Sequence, residues 1–333
     1  MDQDKQISKP RVSVIIPVYN TEAYVEEAVR SIMNQTLRDI EIIIIDDGST
    51  DNSLSVIKKL ALEDNRIAYH SQANQGQSVA RNVGIEKARG KYIYFMDSDD
   101  VLEEEAFASC VEMVAREKLD FVLFNAEILN EHNNYDVPID YNKPRLDEHV
   151  VYSGKSMISE MLTQKTYRCS PCIHFISLKI INSLSLRFYP GIIHEDELFT
   201  ALLYIQSQRA AYIPKAFFKR RFRAGSVMTS TYSLRNVECY LVVGEQLLKF
   251  AKKEDLDTRK LIYRILSYIL DPNLYRVNSF SFRDRSAILL KCIEKKMIRF
   301  ISMKTCVVLL FPWTIRLKGS FRSRADRLVS SFR

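Results

Sequence analysis

A chain of 333 residues with 47% apolar and 27% charged side chains has material for a full hydrophobic core and a second, smaller substructure. That balance excludes a disordered chain, a collagen-like repeat and a small disulfide-stapled domain. The net charge of +7 is unevenly placed: residues 281–333 hold 13 Lys/Arg against 3 Asp/Glu, leaving 35 against 38 in the first 280. A nucleic-acid-binding protein spreads its basic surface over the folded module, so no nucleic-acid partner is expected and the basic tail needs its own account.

In chain order, Val12–Val18 is mostly apolar and rich in Val and Ile, as suits a strand buried on both faces. Ala23–Asn34 carries apolar residues at helical spacing along one face. Ile40–Ile45 reads as a second buried strand, and the Asp46–Asp51 run supplies turn and cap chemistry for a helix over Ser53–Leu62. Ile67–Ser71 is a short strand, followed by a loop and a helix over Gln77–Ala88. Strand Tyr92–Met96, helix Glu103–Lys118 and strand Phe121–Asn125 complete the series. This alternation predicts a parallel, helix-covered α/β sheet. From about Glu131 the rhythm breaks: Asn133–Glu148 reads as a loop or an irregular strand pair. Helices are expected over Gly154–Gln164 and Glu195–Ser207, and short strands at Ala211–Ile213 and Phe217–Phe222. Beyond a boundary near Ser230, helices are expected over Asn236–Lys252, Asp257–Leu270 and Arg283–Phe300.

Met1–Lys9 is polar and the first apolar run already reads as a strand, so no secretory signal is expected. Cys306–Trp313 is an apolar stretch of eight residues including a proline, short of the ~20 that span a bilayer. The six cysteines form no regular framework, which predicts reduced thiols in a cytoplasmic protein. Cys169-Ser-Pro-Cys172 lies near His174, but a zinc site needs four ligands and the sequence has no second pair. It reads as two cysteines in a turn.

Ligands of parallel α/β sheets bind at the carboxyl ends of the strands. The strand ends here are Pro17-Val18-Tyr19-Asn20, Asp46-Asp47, Asn74-Gln75-Gly76 and Asp97-Ser98-Asp99-Asp100. The first turn lacks GxGxxG, against a Rossmann dehydrogenase. Asp97 and Asp99 alternate along a strand end and could reach one cation, with the open positions that Mg2+ or Mn2+ prefers. Capping of the next helix explains one of these aspartates but not three. The Asp46–Asp51 run is a turn as readily as a ligand contact. Tyr19 alone suits packing, and Arg81 alone suits a solvated helix or a phosphate contact. His194-Glu195-Asp196-Glu197 opens a helix, where acidic residues meet the positive end of the dipole.

Taken together and in order, PVYN at 17–20, DDGSTD at 46–51, NQGQSVARNVG at 74–84, DSDD at 97–100 and HED at 194–196 resemble the inverting nucleotide-sugar transferases of glycosyltransferase family 2. The Arg223-Ala-Gly-Ser226 stretch is similar to a late motif of that family, and the resemblance covers roughly residues 10–230. It implies a GT-A fold, with a Rossmann-like, mostly parallel central sheet flanked by helices and a C-terminal helical extension. Residues 1–10 would be a tail and 11–230 the GT-A domain, with a nucleotide-binding half (11–125) and an acceptor-binding half (126–230). Residues 231–333 would be a helical, basic region. The resemblance further implies a UDP-sugar or similar donor, with Pro17 and Tyr19 lining the base pocket and Asp47 bonded to the base. Asn74 and Arg81 would hold the nucleotide, and Asn20, Gly76 and Ser98 complete the donor set. Asp97 would lie near the ribose or sugar, and Asp99 with Asp97 would hold Mg2+ or Mn2+. Asp196 would be the general base, with Glu195 beside it, and Arg223 and Ser226 would reach the diphosphate.

The implied acceptor is a saccharide or lipid-linked saccharide in bacterial surface polysaccharide synthesis, and the implied activity is hexosyl transfer. Lys291–Arg299 and Arg316–Arg333 interleave cations with apolar residues around Trp313. That pattern suits an anionic membrane surface at the inner face, a solvated helical face or a dimer contact. Two other readings compete. Tyr92–Val101 fits the aspartate-nucleophile pattern of haloacid dehalogenase-type phosphotransferases, with Asp97 attacking phosphorus. An inactive scaffold of a polysaccharide assembly is the third.

Overall fold

A computed structural model describes residues 9–129, 144–223 and 231–312. They fall into two compact units that divide between Ser230 and Thr231. The Asn133–Glu148 expectation lies largely outside the described residues, as do Ser226, Trp313 and Arg316–Arg333.

The first unit is built on one eight-stranded sheet. Its first half follows the predicted alternation: β1 (Val12–Val18), α1 (Val25–Met33), β2 (Ile40–Asp46), α2 (Ser53–Glu63), β3 (Ile67–Ser71), α3 (Gln77–Lys87) and β4 (Tyr92–Phe95). β1, β2 and β4 are buried along their whole length, which is why their sequences are nearly continuous apolar runs. α1 turns Val25, Ala28, Val29 and Ile32 inward, the i, i+3, i+4, i+7 face. β1 runs parallel to both β2 and β4, with Val12 opposite Ile40 on one side and Tyr92 on the other. Val18 pairs with Asp46 and Asp46 with Ser71, so these strands end at one rim of the sheet.

The remaining elements are β5 (Val101–Leu102), α4 (Ala106–Glu117), β6 (Phe121–Ile128), α5 (Gly154–Gln164), β7 (His174–Ser177), α6 (Leu178–Ser183), α7 (Glu195–Gln206) and β8 (Ala210–Arg220). The strand order is β3-β2-β1-β4-β7-β6-β8-β5. β7, which the sequence pattern did not predict, lies antiparallel between β4 and β6 and welds the two halves into one sheet. The expected division at residue 125 therefore falls inside β6. β8 is one strand where two were expected. Its register against β6 jumps from Phe124 opposite Ile213 to Asn125 opposite Ala216, so a bulge absorbs Pro214 and Lys215.

The second unit is helical: α8 (Leu234–Ala251), α9 (Leu256–Tyr275), α10 (Phe282–Glu294) and α11 (Met303–Leu310). Ser233 and Asn236 form a capping box at the start of α8, and Asp255 caps α9 through the Thr258 amide. α9 runs past Pro272, five residues beyond the expected end at Leu270. The helix expected over 283–300 stops at Glu294, where Lys296 takes a left-handed φ of 58°.

Candidate active site

The rim where β1–β4 end opens into a cleft of about 1410 Å3, open solvent included. Pro17, Tyr19, Asn20, Asp47, Asn74, Gly76, Asp97, Ser98, Asp99 and Arg223 all line it. Sequence-distant tips thus become one surface. Asn20, at φ 50°, accepts from the Thr50 amide at 2.8 Å and ties the first tip to the second. Asp46 accepts from the Ser71 hydroxyl at 2.7 Å. Asp47 accepts from Gln72 Nε2 at 2.7 Å and from the amides of Gln75 and Gly76 at 3.0 and 2.8 Å, fixing the third tip against the second. Gly48 makes that contact possible: at φ +74°, a Cβ there would stand 2.8 Å from the Asn74 nitrogen. The Tyr19 ring, 48% exposed, stands at the cleft rather than in the core.

Residues 97–100 form a turn beyond β4, closed by a 3.4 Å bond from the Asp100 amide to the Asp97 carbonyl. The two aspartates meet the cleft through this turn and not by strand alternation as expected. β5 pairs antiparallel with the end of β8, and that pairing carries Arg220, Arg221 and Arg223 onto the acidic turn. The Arg221 amide donates to Asp100 Oδ1 at 2.7 Å and its Nε to the Asp99 carbonyl at 2.9 Å. Arg223 Nε donates to Asp99 Oδ2 at 2.6 Å, and Arg220 lies 3.8 Å from Asp97 and 3.9 Å from Asp100. Val18, Gln77 and Asp100, which the strand-end motifs contained without an assigned role, also line the cleft, as do Thr21, Arg220 and Arg221, which sequence reasoning missed. Three arginines within Lys219–Arg223, directly after a strand, were the available signal for the last two.

Arg81, Glu195 and Asp196 are not in the cleft lining. Arg81 is buried beneath it, with Nη2 donating to Asp97 Oδ1 at 2.7 Å and Nη1 to Glu195 Oε1 at 2.9 Å. It therefore holds carboxylates together where a direct nucleotide contact was expected. Through this bridge the start of α7 is joined to the acidic turn. Asp196, half-buried on the first turn of α7, accepts from the Glu197 amide at 3.0 Å through Oδ1. The Cys169 thiol donates to its Oδ2 at 3.5 Å.

Burial would raise the Asp97 carboxyl, but Arg81 and Arg220 outweigh it and hold it below the ordinary aspartate range. Burial, opposed by Arg220 but reinforced by Asp97 and Asp99, pushes Asp100 well above its ordinary value. Burial also lifts Glu195 to about 7 against the pull of Arg81, and Glu197 to about 8 with help from Asp196. A Glu197 that keeps its proton adds no second negative charge beside Asp196.

Among the described residues no cluster of three or more His, Cys, Asp or Glu side chains forms a closed metal cage. Asp97 already accepts from Arg81 and from Gln77 Nε2, and one oxygen of Asp99 is taken by Arg223. This donor set fits a hard cation held by one cleft carboxylate and completed by substrate phosphates and water.

The family description Glycosyl transferase family 2 matches residues 13–183. Glycosyltransferase GlyA of Streptococcus pneumoniae is 29% identical over 227 residues, 65% of this chain, and the chain spans 31% of that relative's length. TarS of S. aureus, solved in complex with UDP-GlcNAc, superposes with a TM-score of 0.62 at 21% identity, over 86% of this chain and 89% of that one. The mannosyltransferase PcManGT from Pyrobaculum calidifontis, in complex with GDP-Man and Mn2+, reaches 0.55 at 14% identity, over 92% and 87%. At those identities the two structures establish the GT-A architecture and no more. The match beginning at Ser13 takes in every strand end that builds the cleft from β1 to β4, over half of the sequence. By that match the chain belongs to glycosyl transferase family 2 and is a glycosyltransferase.

Proposed function

We propose that the chain moves a sugar, with inversion, from a nucleoside diphosphate-sugar, a UDP-sugar, to a hydroxyl of a saccharide or lipid-linked saccharide in bacterial surface polysaccharide synthesis. One observation carries the reading: a single cleft has an exposed Tyr19 ring among the first two strand ends, and an Asp97–Asp100 turn ringed by Arg220, Arg221 and Arg223. An aromatic face suits a base, and a ring of guanidinium groups suits a diphosphate. The complex of TarS with UDP-GlcNAc supports a uridine donor.

In this mechanism Pro17 and Tyr19 hold the base with Asp47, and Asn20, Asn74, Gly76 and Ser98 shape the pocket around the nucleotide. A bound Mg2+ or Mn2+, held by Asp99 with Asp97 beside it, would offset the charge of the departing diphosphate. Arg223, and Ser226 beyond the described residues, supply further contacts to that group. Asp196 takes the proton of the acceptor hydroxyl as it attacks the anomeric carbon from the opposite face, and Glu195 keeps α7 in place through Arg81. Attack from that face inverts the centre without a covalent sugar–enzyme intermediate. The phosphotransferase reading gains nothing here, since Asp97 is engaged by Arg81 and Gln77.

The test is a panel of nucleoside diphosphate-sugars with Mn2+, read by thermal shift and donor hydrolysis. One donor is expected to raise the melting temperature by several degrees, because binding to the native state alone stabilises it. Asp99→Ala is expected to lose about tenfold or more in Mn2+-dependent donor affinity. Metal-dependent binding unchanged in that variant refutes the ligand assignment.

The proposal extends to location: a cytoplasmic enzyme resting on the anionic inner face of a membrane. No helix among the described residues is long and apolar enough to cross one. α11 presents Met303 and Val307, with Phe311 after them, at i, i+4 and i+8, exposed by 80, 41 and 50%. The basic Arg316–Arg333 segment follows in sequence. The full chain is expected to co-sediment with anionic vesicles more than a chain ending at Pro312. Equal pelleting of the two removes the tail from the reading.

A further inference from the structure

The Cys169-Ser170-Pro171-Cys172 segment has a place in the structure that its sequence pattern did not announce. Pro171–Ile173 is a single 3-10 turn, with Ser170 Oγ capping the Cys172 amide at 3.3 Å. The turn is pinned from several sides. Tyr94 on β4 donates its hydroxyl to the Cys172 carbonyl at 2.7 Å, and Thr200 on α7 donates to the Cys169 carbonyl at 2.5 Å. His174 joins the Ser170 carbonyl at 2.8 Å and the Tyr204 hydroxyl of α7 at 2.9 Å. Arg220 Nη2 reaches Ser170 Oγ at 3.2 Å.

From this fixed turn the two thiols go to different partners. The Cys169 thiol donates to Asp196 Oδ2 at 3.5 Å. At the other end, the fully buried Cys172 thiol lies beside the Asp97 carboxylate, which Arg220, bonded to Ser170 of the same turn, approaches to 3.8 Å. One end of a four-residue segment thus meets the carboxylate on α7, and the other meets the carboxylate of the acidic turn. We propose that the Cys169–Cys172 turn is a positioning element of the transferase site, holding Asp196 and Asp97 in register across the reacting sugar. This rests on the roles assigned to those aspartates above. The Cys169 thiol is pushed well above its ordinary range, chiefly by burial and then by Asp196 and Glu197, so it remains a proton donor at neutral pH. A thiol is a weak donor, and its value here lies in direction: a carboxylate aimed wrongly by a fraction of an ångström loses much of its rate.

The two ends of the turn predict different kinetic signatures. Cys169→Ala is expected to lower kcat about tenfold with donor KM within about twofold. Cys172→Ala is expected to raise donor KM about tenfold with a smaller change in kcat. Cys169→Ser and Cys172→Ser, which restore a donor at each position, are expected to recover most of each loss, and thermal melts of all four variants report folding separately. A general packing role moves kcat and KM together in proportion to lost stability and is not relieved selectively by serine. That result, or alanine variants equal to wild type, overturns the positioning role. Wild-type protein that neither binds nor turns over any nucleoside diphosphate-sugar overturns the functional reading itself and the positioning role with it.

Discussion

Asp196→Asn is expected to bind donor as the wild type does and to lose about 10²–10⁴-fold in kcat, the range that a positioned general base supplies. The substitution changes one atom and preserves shape. An asparagine side-chain oxygen can still accept from the Glu197 amide, so the first turn of α7 should keep its geometry. The amide nitrogen has no free pair for an acceptor proton, and the Cys169 thiol, which donates to Oδ2, must turn to accept from that nitrogen. Glu195 offers no replacement, because it is 6% exposed and paired with Arg81 at 2.9 Å. Glu197 offers none either, since burial holds its proton to about pH 8. Donor affinity by calorimetry and turnover under saturating acceptor separate binding from chemistry. Turnover near the wild-type value removes Asp196 from its role.

The parts of the fold that were legible are those in which a short stretch decides its own structure. β1, β2 and β4 are nearly continuous apolar runs because they are buried on both faces, and the turn chemistry of the Asp46–Asp51 run marks where the second strand must stop. Once these strands are parallel, their tips converge without further information, which is why most cleft-lining residues could be named in advance. The antiparallel half was less legible. β7 is four residues, His174–Ser177, with no alternation; it is a strand because β4 and β6 offer it two edges. Pro214 split β8 on paper, whereas the bulge against β6 lets the strand continue and delivers its arginines to the acidic turn. Arg81 looked like a surface helix residue because its partners are 16 and 114 positions away. The same holds for Cys169 and Asp196, which are 27 positions apart and meet only through packing of the 169–172 turn on α7.

The bridge through Arg81 carries the second large expectation. α3 lies close enough to the sheet to bury this side chain because Gly84 faces Ile15, where a Cβ would come within 2.4 Å. The guanidinium then spans Asp97 and Glu195 and stands 5.0 Å from the Phe188 ring centroid. Arg81→Met keeps much of the volume and leaves two buried carboxyl groups without their shared cation. Breaking a buried pair in this way costs about 3–5 kcal/mol. For a unit of this size that corresponds to a melting temperature lower by about 6–20 °C.

The loss should depend on pH in a defined direction. Glu195 has a folded value of about 7 against an ordinary 4.5, so its contribution to stability is present below about 4.5 and is lost as pH rises through 7. Removing Arg81, which pulls that value down, extends the protonated range and deepens the loss once the group ionises. Asp97 has a lowered folded value, so its contribution is present above its ordinary 3.8 and is lost only as pH falls through the lowered value. At pH 5 the variant therefore pays for Asp97 alone, and at pH 8 for both groups. Thermal melts should show the gap between Arg81→Met and wild type widening from pH 5 to pH 8. Arg81→Lys should lie between them, because an ammonium keeps the charge but cannot offer two carboxylates the fixed fork of a guanidinium. Equal melting temperatures for Arg81→Met and wild type at pH 8 would mean that the bridge contributes nothing to holding α7 beside the acidic turn.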